Sequence, residues 1–302
     1  MTLGELGGVV VPIIVPLDEH DRVDAPAFRR HIRHLASKGV HGLFVGGSAG
    51  EGPLLTTHEW TRMMEIAIDE AGDRLALLGG VMDTSTARVI ERIRLLQDIG
   101  YRHVVVTPTY YITPKTPDEH LRLFEACKQA SPGMEMIAYN VPAAVGSAIS
   151  LETFLEMARR GLIRYCKESS ENLPFFMELV TAGQELNLKV LMGNEVSIAA
   201  ALRAGAIGMV PVCANVEPET FVGAYDAAAR HDDAALQRAQ DRINFLRESL
   251  VLAGSCWLAG PKYALSRLGM GSGKLVSPLQ PLSAAEQRRV DERLGLGHDA
   301  SQ

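Results

Sequence analysis

The sequence has few cysteines and few aromatic residues, and it lacks long unbroken apolar runs. Its four cysteines, Cys127, Cys166, Cys213 and Cys256, are widely spaced and none forms Cys-x-x-Cys. That leaves no zinc-ligand signature, and buried, reduced thiols are the expectation. Nine histidines are scattered without a His-Glu-x-x-His, so no structural or catalytic metal and no other cofactor is expected. Acidic and basic residues are interspersed at a net charge of −6. Without a basic stripe, nucleic acid is not an expected partner. The most apolar early segment, residues 7–17, contains Pro12 and Pro16 and is too short to span a bilayer, so no membrane association is expected. The start, Met1-Thr2-Leu3-Gly4-Glu5, lacks the positive region of a signal peptide. The expectation is a soluble cytoplasmic protein.

What is present is a regular alternation. Among 302 residues, 47% hydrophobic and 22% charged, short apolar runs fall at 9–15, 42–47, 75–81, 103–107, 134–139, 162–167, 189–193 and 206–212. Segments of 3.6-residue periodicity lie between them, at 25–38, 58–71, 86–98 and 117–129 among others. Thr56-x-x-Glu59 and Thr116-Pro117-Asp118-Glu119 carry the spacing of a capping box, the second with proline at the first helical position. A strand-then-helix unit of about 30 residues is a βα module. Eight of them predict an α/β protein, a closed (β/α)8 TIM barrel, over an open doubly wound sheet. The open sheet would place Gly-x-Gly-x-x-Gly after the first strand, where this chain has Pro16-Leu17-Asp18-Glu19-His20.

Beyond residue 212 the pattern is helical only, at 220–230, 233–252, 257–268 and 284–294, the last opened by Ser283-x-x-Glu286. The expected organisation is a barrel over 1–222 and a C-terminal helical appendage over 223–302, suited to subunit contacts. Gly269-Met270-Gly271-Ser272-Gly273-Lys274 lacks Walker spacing and does not follow a strand, so it reads as a connector.

A barrel does its chemistry at the carboxyl ends of its strands. Lys167 ends the sixth run, in Tyr165-Cys166-Lys167-Glu168-Ser169-Ser170. An amine partly desolvated at that mouth is a nucleophile toward carbonyls; a lysine that only snorkels to solvent is the plainer alternative. The second run leads into Gly46-Gly47-Ser48-Ala49-Gly50-Glu51-Gly52, a turn able to present N–H groups to an anion, with a hydroxyl from Ser48. The fourth ends in Thr107-Pro108-Thr109-Tyr110-Tyr111 and the fifth in Ala138-Tyr139-Asn140-Val141-Pro142. A phenol beside an amine can move protons to and from a carbonyl oxygen while an imine forms.

Gly47-Ser48-Ala49-Gly50-Glu51, Tyr139-Asn140-Val141-Pro142 and Lys167-Glu168, with Gly193-Asn194-Glu195 and Val210-Pro211-Val212, stand in an order and spacing that resemble the dihydrodipicolinate synthase / N-acetylneuraminate lyase family of Schiff-base-forming class I lyases. The resemblance runs from about Gly8 to about Leu282. It implies that Lys167 forms the imine with pyruvate or another 2-oxo acid and that Tyr139 is the acid/base beside it. Ser48 would bind the substrate carboxylate and relay protons to Tyr139, with Ala49 and Val210 also against the substrate. A tyrosine of the Tyr110-Tyr111 pair, with Tyr110 favoured, would reach into a neighbouring subunit's site in a homotetramer.

Two departures bear on the substrate. Ala49 stands where the synthase branch carries threonine, and Ala144 where the synthase has an arginine. Loss of a bidentate arginine argues against condensation of pyruvate with aspartate semialdehyde. It favours retro-aldol cleavage or condensation of a 4-hydroxy-2-oxo acid, with an aldehyde partner the sequence does not identify. That condensing synthase and a Schiff-base dehydratase or deaminase are the alternatives within the family, and a non-catalytic 2-oxo-acid-binding barrel the alternative outside it. Glu171 stands where many members have glycine, and nothing in the sequence accounts for it.

Overall fold

The computed structural model describes residues 6–296. Eight parallel strands form a closed barrel in the order β1 to β8: β1 Gly8–Pro12, β2 Gly42–Val45, β3 Ala76–Gly80, β4 His103–Val106, β5 Glu135–Asn140, β6 Tyr165–Glu168, β7 Lys189–Met192 and β8 Gly208–Met209. The α/β barrel expected from the alternation is the fold observed.

Both faces of each strand are buried, which is why the strands read as continuous apolar runs. The side-chain period of two separates the faces. One set, including Val10, Phe44, Leu78, Val105, Ile137, Tyr165 and Leu191, fills the barrel interior. The alternate set, including Val9, Val11, Leu43, Val104, Met136, Cys166 and Val190, packs in the larger cluster with the helices. Strand ends differ from the apolar runs where those runs continue into turns. β8 covers only 208–209, because residues 210–212 belong to the loop that follows.

The helices are α1 Ala25–Ser37, α2 Thr57–Ala71, α3 Thr86–Ile99, α4 Pro117–Ala130, α5 Pro142–Val145, α6 Leu151–Arg159, α7 Leu173–Gly183, α8 Ile198–Arg203, α9 Pro218–Ala229, α10 Asp233–Leu250, α11 Ala259–Arg267 and α12 Ala284–Leu294. Reciprocal capping boxes form at Thr116/Glu119 and Ser283/Glu286. At α2 only half of the box forms. Thr56 caps Glu59 N, but the Glu59 carboxylate accepts from Val23 N at 2.7 Å, so a tertiary partner has displaced the local one. α9 packs on β1 and closes the ring. The expected boundary after residue 222 falls inside this helix, so the appendage consists of α10 to α12.

One buried ion pair ties that appendage to the barrel mouth. Glu51, in the loop after β2, meets Lys262 of α11; both are buried. Glu51 also accepts from Val276 N at 2.8 Å, and Lys262 donates to the Lys274 carbonyl at 2.7 Å. Burial lowers the pKa of the Lys262 ammonium, and the Glu51 carboxylate opposes that shift. Removing one partner of such a pair leaves a buried charge uncompensated. Lys262→Met is expected to cost about 3–5 kcal/mol in urea unfolding, and adding Glu51→Gln should recover part of that loss. A single variant within about 1 kcal/mol of the parent would show that the pair does not anchor the appendage.

Candidate active site

Parity and register together place the lysine. Lys167 stands two residues after Tyr165 on β6, so both face inward, and the register sets it beside Tyr139 of β5. The amine lies 4.0 Å from the centroid of the Tyr139 ring and 5.0 Å from that of Phe44. Phe44 meets Tyr139 edge-on, with ring centroids 5.9 Å apart at 82°. The side chain is held between two aromatic faces and is only 6% exposed, so it is not a snorkelling lysine. Gly193, at the end of β7, leaves room for it: a Cβ there would lie 3.0 Å from Lys167 Cε and 1.8 Å from Ser169 Oγ.

The neighbouring acid faces the other way. Glu168 points outward and accepts from Asn140 Nδ2 at 3.0 Å and Ser170 N at 2.8 Å. Asn140 Oδ1 accepts in turn from Ile149 N at 3.0 Å. Burial raises the pKa of Glu168, and these hydrogen bonds oppose the shift. The pair fastens the ends of β5 and β6 to each other, and so fixes Tyr139 against Lys167.

Lys167 and Tyr139 line a cavity of ≈ 350 Å³, whose wall also includes Ser48, Ala49 and Val210. Five of the six expected site residues therefore meet in one place. The loop bearing Ser48 and Ala49 is tightly folded. Glu51 N donates to Ser48 O at 3.1 Å and Gly52 N to Gly47 O at 3.2 Å. A Cβ on Gly52 would stand 2.0 Å from Gly46 O. Arg92 braces the loop from outside, donating to Gly52 O at 3.3 Å while paired with Asp83 at 3.0 Å.

Tyr110 is the sixth and is not on the cavity wall. It is half-buried against the barrel interior. Burial first, and then the Asp83 carboxylate, raise its pKa. The tyrosine that stands free is Tyr111, 91% exposed and left-handed at φ 76°, followed by Ile112 at 82%. Of the pair, Tyr111 is the more exposed. Ala144 is exposed and off the cavity wall, whereas Ala143 lines it.

The sequence reading placed Glu195 in a motif without giving it a role, and it did not single out Arg247, Val251 or Leu252 as wall residues. Glu195 is buried and accepts from Cys213 N at 2.7 Å and from its thiol at 3.3 Å. It couples the β7 and β8 loops, and burial raises its pKa. Arg247 of α10, with Val251, Leu252 and Trp257 beyond it, forms the outer wall. Among the described residues no group of three or more His, Cys, Asp and Glu side chains is placed to hold a metal ion, and no helix is long and apolar enough to cross a membrane.

A closed barrel with a lysine and a tyrosine paired at its mouth defines the Schiff-base type of lyase site. The model of the dihydrodipicolinate synthetase family matches residues 5–295. An uncharacterized DapA-like lyase of Halobacterium salinarum is 32% identical over 96% of this chain and 93% of its own. A 4-hydroxy-tetrahydrodipicolinate synthase of Methylobacterium radiotolerans is 30% identical over 97% and 96%. The structure of dihydrodipicolinate synthase from Bacteroides thetaiotaomicron superposes with a TM-score of 0.90 at 28% identity, covering 96% of this chain and 98% of that one. The chain belongs to the dihydrodipicolinate synthetase family, and it is a carbon–carbon lyase of the class I type.

The Tyr139 phenol and the Ser48 hydroxyl share the cavity with the amine. Tyr139→Phe is expected to keep the fold and lower turnover by roughly 100-fold or more, the usual worth of a positioned acid/base. Ser48→Ala should do similar damage. Steady-state turnover checks both, and parent-like rates in either would mean that the proton path runs elsewhere.

Proposed function

We propose that the enzyme cleaves a 4-hydroxy-2-oxo acid by a retro-aldol reaction through an imine on Lys167, releasing pyruvate or a longer 2-oxo acid and an aldehyde. The observation that carries this reading is the buried amine seated against the Tyr139 ring on the wall of the cavity at the barrel mouth. The lysine nitrogen attacks C2 of the oxo acid while the phenol of Tyr139 gives its proton to the carbonyl oxygen. The carbinolamine hydroxyl leaves as water after a second proton transfer, forming the C=N bond. The C4 hydroxyl then loses its proton, the C3–C4 bond breaks, and its electron pair enters the iminium to give an enamine. C4 leaves as the aldehyde. A proton is added to C3, and water hydrolyses the new iminium to free the 2-oxo acid and the amine. Ser48 binds the carboxylate next to C2, with the turn around Ala49, and Val210 closes the pocket behind it.

Condensation of pyruvate with aspartate semialdehyde is disfavoured by Ala144, which offers no cation. The reading includes a cytoplasmic setting, which the four free cysteines suit. It also includes a closed homotetramer in which Tyr111 reaches a neighbour's site. An exposed tyrosine and isoleucine, side by side on a left-handed turn, are what such a contact would cover. Sedimentation should give a particle larger than a monomer, and Tyr111→Ala with Ile112→Ala should shift it toward smaller species. A fully active monomer would refute the shared site.

The chemical test is direct. Pyruvate with borohydride should leave a stable secondary amine, and mass spectrometry should place it on the peptide containing Lys167. Lys167→Ala should lose it, and Lys167→Arg should not restore it, since a guanidinium stays protonated. An adduct on another lysine would overturn the mechanism.

A further inference from the structure

The cavity wall carries two cations, Lys167 and Arg247. Arg247 lies in the last turn of α10, where its charge also suits the helix carbonyl end. That role does not require the side chain to line a cavity, and Arg247 does line it. Among the described residues its ion-pair partner within 4.0 Å is Glu171, at 3.9 Å, with side-chain exposures of 26% for the arginine and 70% for the acid; the buried Glu195 carboxylate also feels its charge. At the long end of ion-pair distance and largely in water, that pairing is weak. Glu171 has a left-handed backbone at φ 62°, a conformation that disfavours residues other than glycine. It also lines the cavity. A strained acid set against an arginine at the mouth is the kind of backbone outlier that points to function.

We propose that Arg247 receives a second carboxylate at the far end of the substrate, so that the preferred substrates are 2-oxo acids ending in a carboxylate. A planar carboxylate can take two parallel N–H bonds from one guanidinium and displace the loosely held Glu171. A phosphate dianion would face one cation already shared with an acid, so a carboxylate is the better match. Arg247 thus supplies, from the appendage, the cation that Ala144 does not supply from the barrel. This inference rests on the Lys167 imine.

The test uses borohydride trapping at Lys167 by mass spectrometry. The probes are 2-oxoglutarate and 2-oxoadipate, each compared with the analogue in which an isopropyl group replaces the distal carboxylate. Half-saturating concentrations are normalised to each protein's own pyruvate value. In the parent enzyme at least one diacid should half-saturate at a concentration ten-fold or more below its isopropyl analogue. Arg247→Gln should bring that ratio to within three-fold of unity. Glu171→Gln, which removes the competing carboxylate, should lower the diacid value by two-fold or more. No diacid preference in the parent, a preference that survives in Arg247→Gln, or a diacid value that rises in Glu171→Gln, would overturn the proposal while leaving the imine mechanism standing. Failure to trap pyruvate itself would overturn both.

Discussion

The pairing of Lys167 with Tyr139 across β5 and β6 is the contact on which the site depends. Strand parity turns both side chains into the barrel, and a one-residue slip would exchange every inward and outward residue. Two features support this arrangement, one outside the barrel and one within. Asn140 bridges to Glu168 on the reverse face, and Gly193 keeps the lysine stem clear. The reactive amine is therefore positioned by backbone hydrogen bonding and by the absence of a side chain, with no ion pair needed to aim it.

A second constraint operates from a distance. The loop carrying Ser48 is folded on itself by short turn hydrogen bonds and held from outside as well. Arg92 braces it on one side and the Glu51–Lys262 pair on the other. Burying two charges is costly, and such pairs contribute geometry more readily than stability. Here the geometry joins the second βα loop to a helix about two hundred residues later. The helices after the barrel are thus part of the site's framework, and α10 with the turn after it completes the cavity wall.

The barrel was legible in the sequence because parallel strands buried on both faces leave continuous apolar runs, and eight of them recur at regular intervals. Lys167 and Tyr139 were legible because they end those runs, Ser48 because it follows one in a glycine-rich turn, and Ala49 and Val210 through the family resemblance; the structure gathers all five around one cavity. Other features depended on tertiary information. Phe44 follows from the two-residue period of β2, but its contact with Lys167 requires the ring to close. Arg247 lies in a helix whose pattern reads as ordinary amphipathicity. The left-handed backbone of Tyr111 is likewise something no tyrosine announces. Glu171 is the same case. Its φ explains why glycine suits the position, and Arg247 gives the acid a partner. At Thr56, local capping chemistry predicted a reciprocal box, and Val23 took the carboxylate instead.

The wall built from α10 and the residues after it divides the enzyme along its length. The residues that make and break the imine come from the second, fifth and sixth strands and their loops. The outer cavity wall comes largely from a stretch after residue 240. Changes in that stretch can accumulate with no strand register disturbed, provided Lys262 still meets Glu51. One reaction core can therefore pass through many substrate ranges by drift in a segment that, read alone, resembles packing material.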